Sequence, residues 1–68
     1  MSEDRDAVAL FVQVLGVPES AAKSLIRAGM TSLEEVAYVP LSELLETPGV
    51  SPELLSQARE KARVHLAL

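Results

Sequence analysis

The chain contains no cysteine and no tryptophan, and Phe11 and Tyr38 are its only aromatic residues. Without thiols it can form neither disulfides nor thiolate metal sites, which agrees with a cytoplasmic protein, the location expected here. The shortage of aromatics leaves Leu, Val, Ala and Ile to build the core, a composition that suits helices better than packed sheets. The one histidine, His65, lies near the C-terminus, and no His, Asp and Glu residues stand at metal-ligand spacing. There is no glycine-rich phosphate loop, and none of the serines has a titratable partner in view for nucleophilic chemistry. The expectation is a protein that is not an enzyme and carries no cofactor. No apolar run approaches the roughly 18 residues that would cross a membrane. The N-terminal stretch Met1-Ser2-Glu3-Asp4-Arg5-Asp6 lacks the basic start and apolar run of a secretory signal.

An excess of base is also missing. Ten acidic residues stand against six basic ones, for a net charge of −4. Neutralising phosphates dominates duplex binding, so a clamp of this size would normally be basic. The acidic balance argues against direct nucleic-acid binding. With 68 residues the chain is expected to form a single domain over 1–68. Such a domain buries only about 60% of its unfolded surface, so well-packed helices must carry its stability. No long heptad repeat argues for a dimer, and a monomer is expected.

What is present is helical periodicity. A first helix is expected from about Asp4 to Leu15, with Asp4 and Asp6 in its first turn, where the helix dipole favours negative charge. Ala7, Phe11 and Val14 recur at helical spacing, flanked by Val8, Leu10 and Leu15. Gly16 stops it. Pro18 is expected to open a second helix as its first residue, with Ala21, Ala22, Leu25 and Ile26 buried and Gly29 just past its end. Thr31 or Ser32, paired with Glu34 or Glu35, has the spacing of a capping box. The short helix it opens should end by position 39, before Pro40, with Leu33, Val36 and Ala37 inward. Leu41 to Glu46 reads as another short helix with Leu41, Leu44 and Leu45 apolar, followed by a turn over Thr47-Pro48-Gly49-Val50. Ser51-Pro52 caps a last helix to about Ala67, with Leu54, Leu55, Ala58, Ala62 and Leu66 on its apolar face. Lys61, Arg63 and His65 occupy its last two turns, where cations suit the dipole. No segment alternates like a strand.

Two segments echo each other at a shift of 33 residues: Leu15-Gly16-Val17-Pro18-Glu19-Ser20-Ala21-Ala22 and Pro48-Gly49-Val50-Ser51-Pro52-Glu53-Leu54-Leu55. Each joins a helix end, a Gly-Val turn and a new helix. The reading is all-α: five short helices forming a double helix–hairpin–helix, SAM-like domain, with turns at Gly16-Val17 and Gly49-Val50. Hairpins that hold nucleic acid usually carry Gly-hydrophobic-Gly, whose amides and following helix N-terminus cradle a phosphate. Here Pro18 and Ser51 stand where the second glycine would be, and Pro18 removes an amide. Only the Ser51 turn keeps the donor, and Glu53 beside it has the wrong charge. A weak nucleic-acid-binding domain, with Ser51 and Arg59–Arg63 near a phosphate, is the alternative function. Lys23 with Arg27, and Arg59 with Arg63, each sit one turn apart, as a basic strip against an acidic partner or as a solvated face.

Thr31-Ser32-Leu33-Glu34-Glu35-Val36-Ala37-Tyr38-Val39-Pro40 resembles the acidic repeat at the C-terminus of NusA, a bacterial transcription termination and antitermination factor. Leu44-Leu45-Glu46, Pro48-Gly49-Val50, Leu54, Ala58-Arg59 and Lys61-Ala62-Arg63 continue the likeness, and Phe11 through Gly29 is similar to the family's first hairpin. The resemblance spans about Asp6 to Leu66 and is closest to the first-type repeat. It implies a protein-binding module of the RNA polymerase elongation complex. Implied partners are the polymerase α C-terminal domain, the elongation factor NusG or a phage antiterminator protein. The chain departs from the family in its Gly16-Val17-Pro18 turn and is less acidic overall.

Within that reading Tyr38 is the first candidate contact, since a tyrosine keeps one wet end at an interface; its bland reading is packing beside Pro40. Glu43 and Glu46, with Glu34 and Glu35, would face a basic partner, although capping accounts for Glu34 and Glu35. Arg59 and Arg63 complete the candidate contacts. A spacer with no partner of its own is the third reading.

Overall fold

The computed structural model describes the backbone of residues 2–68 and side chains from residue 5 onward. Five α-helices follow one another: α1 Ser2–Leu15, α2 Glu19–Arg27, α3 Leu33–Tyr38, α4 Leu41–Leu44 and α5 Pro52–Ala67. There is no strand among the described residues. α1 begins earlier than the acidic first turn suggested, and the dipole role of Asp4 lies outside the described side chains. None of the helices is long and apolar enough to cross a membrane.

The principal packed pairs are α3 with α5, α1 with α2, and α1 with α5; α4 belongs to none of them. α5 is therefore the shared wall, touching the N-terminal helix on one side and α3 on the other. Phe11, Leu15, Leu25, Val36, Leu44 and Leu55 are the largest side chains fully withdrawn from water. Ala22, Ala37, Ala58 and Ala62 are also buried, so small side chains let the helices approach closely. The radius of gyration is 10.5 Å, against about 11 Å for a compact chain of this length.

Local chemistry explains the boundaries. Pro18 is the residue before α2 rather than its first member. Its backbone is extended at φ −63°, ψ 156°, while its carbonyl accepts the first helical bond from Ala22 N at 3.0 Å. At the other end of α2, Met30 N donates to Leu25 O and Gly29 N to Ile26 O, both at 3.0 Å. That paired closure satisfies the last carbonyls and tucks Met30 into the core. Ser32 caps α3 by accepting from Glu35 N at 3.2 Å, and Ser51 caps α5 by accepting from Leu54 N at 3.2 Å. Gly16 and Gly49 turn the chain with φ 66° and 80°, a region that side chains with a Cβ avoid. Val17 after the first is buried, whereas Val50 after the second is only partly so.

α4 is a single turn and ends at Leu44, two residues short of the expected end. The apolar trio expected there divides: Leu44 is fully buried, while Leu41 and Leu45 stay 41% and 38% exposed. One turn of helix aims only one of three neighbouring positions at the core. Thr47 then closes the segment, its buried hydroxyl donating to Leu44 O at 2.7 Å. Ile26 on α2, and Leu54 and Leu66 on α5, are partly buried against the core rather than inside it.

Candidate protein-docking groove

α3 spans six residues, and helical geometry divides them cleanly. Leu33, Val36 and Ala37 face the core, so Glu34, Glu35 and Tyr38 face outward, Glu34 one turn before Tyr38. Pro40 ends α3 and redirects the chain into α4, which brings Glu43 and then Glu46 alongside. The result is an open groove of about 760 Å³ walled by Glu34, Glu35, Glu43, Glu46 and Tyr38. Gly29 and Met30 from the end of α2, with Val39 and Thr47, supply backbone and apolar surface between the carboxylates. Four of the ten acids of the chain are gathered here, and no described basic side chain lines the groove.

Glu35 is the best-anchored of the four. Its Oε1 accepts from Thr31 N at 3.0 Å, Thr31 Oγ at 3.1 Å and Ser32 Oγ at 3.2 Å. The Thr31 amide, then the Thr31 hydroxyl, hold its carboxyl below the ordinary glutamate value, with desolvation opposing them and the Ser32 bonds adding to the lowering. The negative charge of Glu35 is thus built into the start of α3 while the side chain stays on the surface.

Tyr38 is 64% exposed. Behind it lies α5. The Arg63 guanidinium carbon is 5.9 Å from the ring centroid, within cation–π range. Arg63 Nε also donates to Ala37 O at 3.0 Å. Arg59 Nη2 reaches Val39 O at 3.5 Å, the outer limit for such a bond, and Arg59 Nε is buried with no hydrogen-bond partner. Pro40 offers no N–H, so the carbonyls at the end of α3 need donors from elsewhere, and α5 provides them. Arg63 makes the shorter bond; Arg59 contributes mainly through its buried stem.

The structure therefore brings Tyr38, Glu43 and Glu46 into one groove and places Arg59 and Arg63 at the seam between α3 and α5. Gly16 and Val17 lie in the α1–α2 turn, away from the groove. Gly49 borders a separate depression with Ser24, Arg27 and Pro48. Glu34 and Glu35, assigned in the sequence to capping, line the groove as well; the i, i+4 spacing of Glu34 and Tyr38 is the signal that links them. Thr47 and Met30 carried no such signal, because their place depends on how α2 and α4 end. A scan against protein-family models finds none that matches the chain.

Proposed function

We propose that the domain is a protein-interaction module whose α3–α4 groove docks a basic surface of its partner. The observation that carries this reading is the convergence of four glutamates around one exposed tyrosine, with apolar surface between them. Carboxylates steer a basic partner and set its register, while an aromatic side chain with a wet end supplies contact area. Arg63 lies behind Tyr38 at cation–π distance and backs the ring from α5.

The NusA resemblance gives this module a setting: an acidic repeat of double helix–hairpin–helix, SAM-like fold in a cytoplasmic factor of transcription elongation, termination and antitermination. The partner is then the RNA polymerase α C-terminal domain, NusG or a phage antiterminator protein. Glu53 in the first turn of α5, beside Ser51, and the net charge of −4 oppose a phosphate there, which favours the protein partner over nucleic acid.

The test is an NMR titration of the labelled domain with each of the three proteins, followed by calorimetry on variants. Amide shifts should centre on α3 and α4. Tyr38→Ala should weaken binding roughly tenfold or more, and Glu43→Gln with Glu46→Gln should weaken it and flatten its salt dependence. An unchanged Kd in Tyr38→Ala at an unchanged thermal midpoint would reject the groove as the docking site. Silence toward all three proteins would reject the transcription setting.

A further inference from the structure

On the far side of α2 the charge is reversed. Glu19, Lys23, Ile26 and Arg27 recur at i, i+4, i+7 and i+8, and so share one face of α2. Arg5 and Val8 share a face of α1 at i, i+3. Together they line a second cleft of about 400 Å³. Its floor is apolar, since Val8 and Ile26 are half-buried against the core. Its rim holds three of the six basic side chains of the chain. Among the described residues its one carboxylate, Glu19, is paired with Lys23 at 3.3 Å. In a chain of net charge −4, cations so concentrated around an apolar floor form a local surface of opposite sign to the groove.

We propose that this α1–α2 cleft docks an acidic peptide segment carrying one apolar residue between its acids. The apolar residue sits on Val8 and Ile26, and the flanking carboxylates meet Arg5 and Arg27. A short segment feels only the local charge, because fields beyond about 10 Å are screened at 0.1 M salt. A nucleic-acid duplex carries a charge about every 1.7 Å. Laid across a molecule 29 × 28 × 17 Å in extent with a net charge of −4, it would meet the field of the whole chain rather than the cleft alone, which is why the occupant is a short peptide. α2 separates the two surfaces: Lys23, Ile26 and Arg27 face the cleft, while Ala28, Gly29 and Met30 border the acidic groove. The domain can then hold a basic partner and an acidic one at once. This inference stands independently of the groove reading.

The experiment titrates the labelled domain with a synthetic peptide of glutamates flanking a central leucine. Controls are the same peptide with serine for leucine, and a short DNA duplex. Shifts are expected at Val8, Lys23, Ile26 and Arg27. Arg27→Gln and Arg5→Gln, both surface changes, should each weaken binding several-fold, and Arg27→Glu by roughly tenfold, in a domain that stays folded by its amide spectrum. Serine for leucine should weaken it further, and Glu43→Gln should leave it unaltered. The proposal is overturned if Arg27→Glu binds as well as the native domain, if the leucine makes no difference, if no shifts appear at millimolar peptide, or if the duplex binds the same residues more tightly.

Discussion

The first half of the molecule and the segment that follows it are held by different physics. α1 and α2 are long enough to bury an apolar stripe each. α2 has no side-chain cap at its start and closes its last turn with main-chain bonds from Gly29 and Met30. α3 and α4, six and four residues long, are nearly all end. Most of the α3 backbone groups lack a helical partner, and polar side chains replace it, Ser32 and Glu35 at its start and Arg63 at its end; α4 closes with main-chain bonds, Leu45 N to Leu41 O and Thr47 N to Leu44 O, to which the Thr47 hydroxyl adds. A nucleus this short has little propagation to offset its cost, so its stability comes from caps and from docking on α5. Glu35, which makes the capping bonds at the start of α3, is also one of the four groove carboxylates.

If this contrast is right, the two regions should fail in different ways. The largest effect is expected for Leu25→Ala in the apolar half, a loss of about 2–5 kcal/mol from the cavity it leaves, measured by urea denaturation. A thermal midpoint equal to the native one would remove Leu25 from the core. Next, the paired turns can be compared directly. Val17→Ala should cost about 2 kcal/mol because Val17 is 3% exposed. Val50→Ala should cost less than about 1 kcal/mol because its side chain is only partly buried; equal losses would mean that the two turns are packed alike. In the polar-capped segment, Arg63→Ala should cost roughly 1–2 kcal/mol by leaving Ala37 O without a donor and Tyr38 without its support. It should also broaden the α3 amide signals while leaving α1 unaffected, and uniform loss across the domain would contradict a local role.

The smallest effect is a pH dependence. The folded Glu35 carboxyl titrates below its unfolded value. Its contribution is therefore complete above about 4.3, the unfolded glutamate value, and is lost as pH falls through the lower folded one. The gap in thermal midpoint between the native chain and Glu35→Ala should narrow on acidification across that window. The gap between native and Leu25→Ala should not, and a Glu35 gap that stays constant to low pH would assign its role to packing rather than charge.

Periodicity and punctuation in the sequence alone determined that the chain is helical, roughly where its five helices lie, and most of the core. Phe11, Ala22, Leu25, Val36, Leu55 and Ala58 each occupy the inward position of a 3.6-residue repeat, and local steric rules bound the helices at Gly16, Gly29, Pro40 and Ser51. Boundaries differed at α4 and α2: the single turn of α4 ended two residues early, and Pro18 stands before α2 rather than as its first member, its extended backbone only accepting the first helical bond. Tyr38, Glu43 and Glu46 were legible as candidates one by one. That they share a groove, with Glu34 and Glu35 among them and Arg63 behind, was decided by tertiary structure. Those residues lie on separate elements, and only the packing of α3 on α5 and the path of the chain through Pro40 set the distances between them.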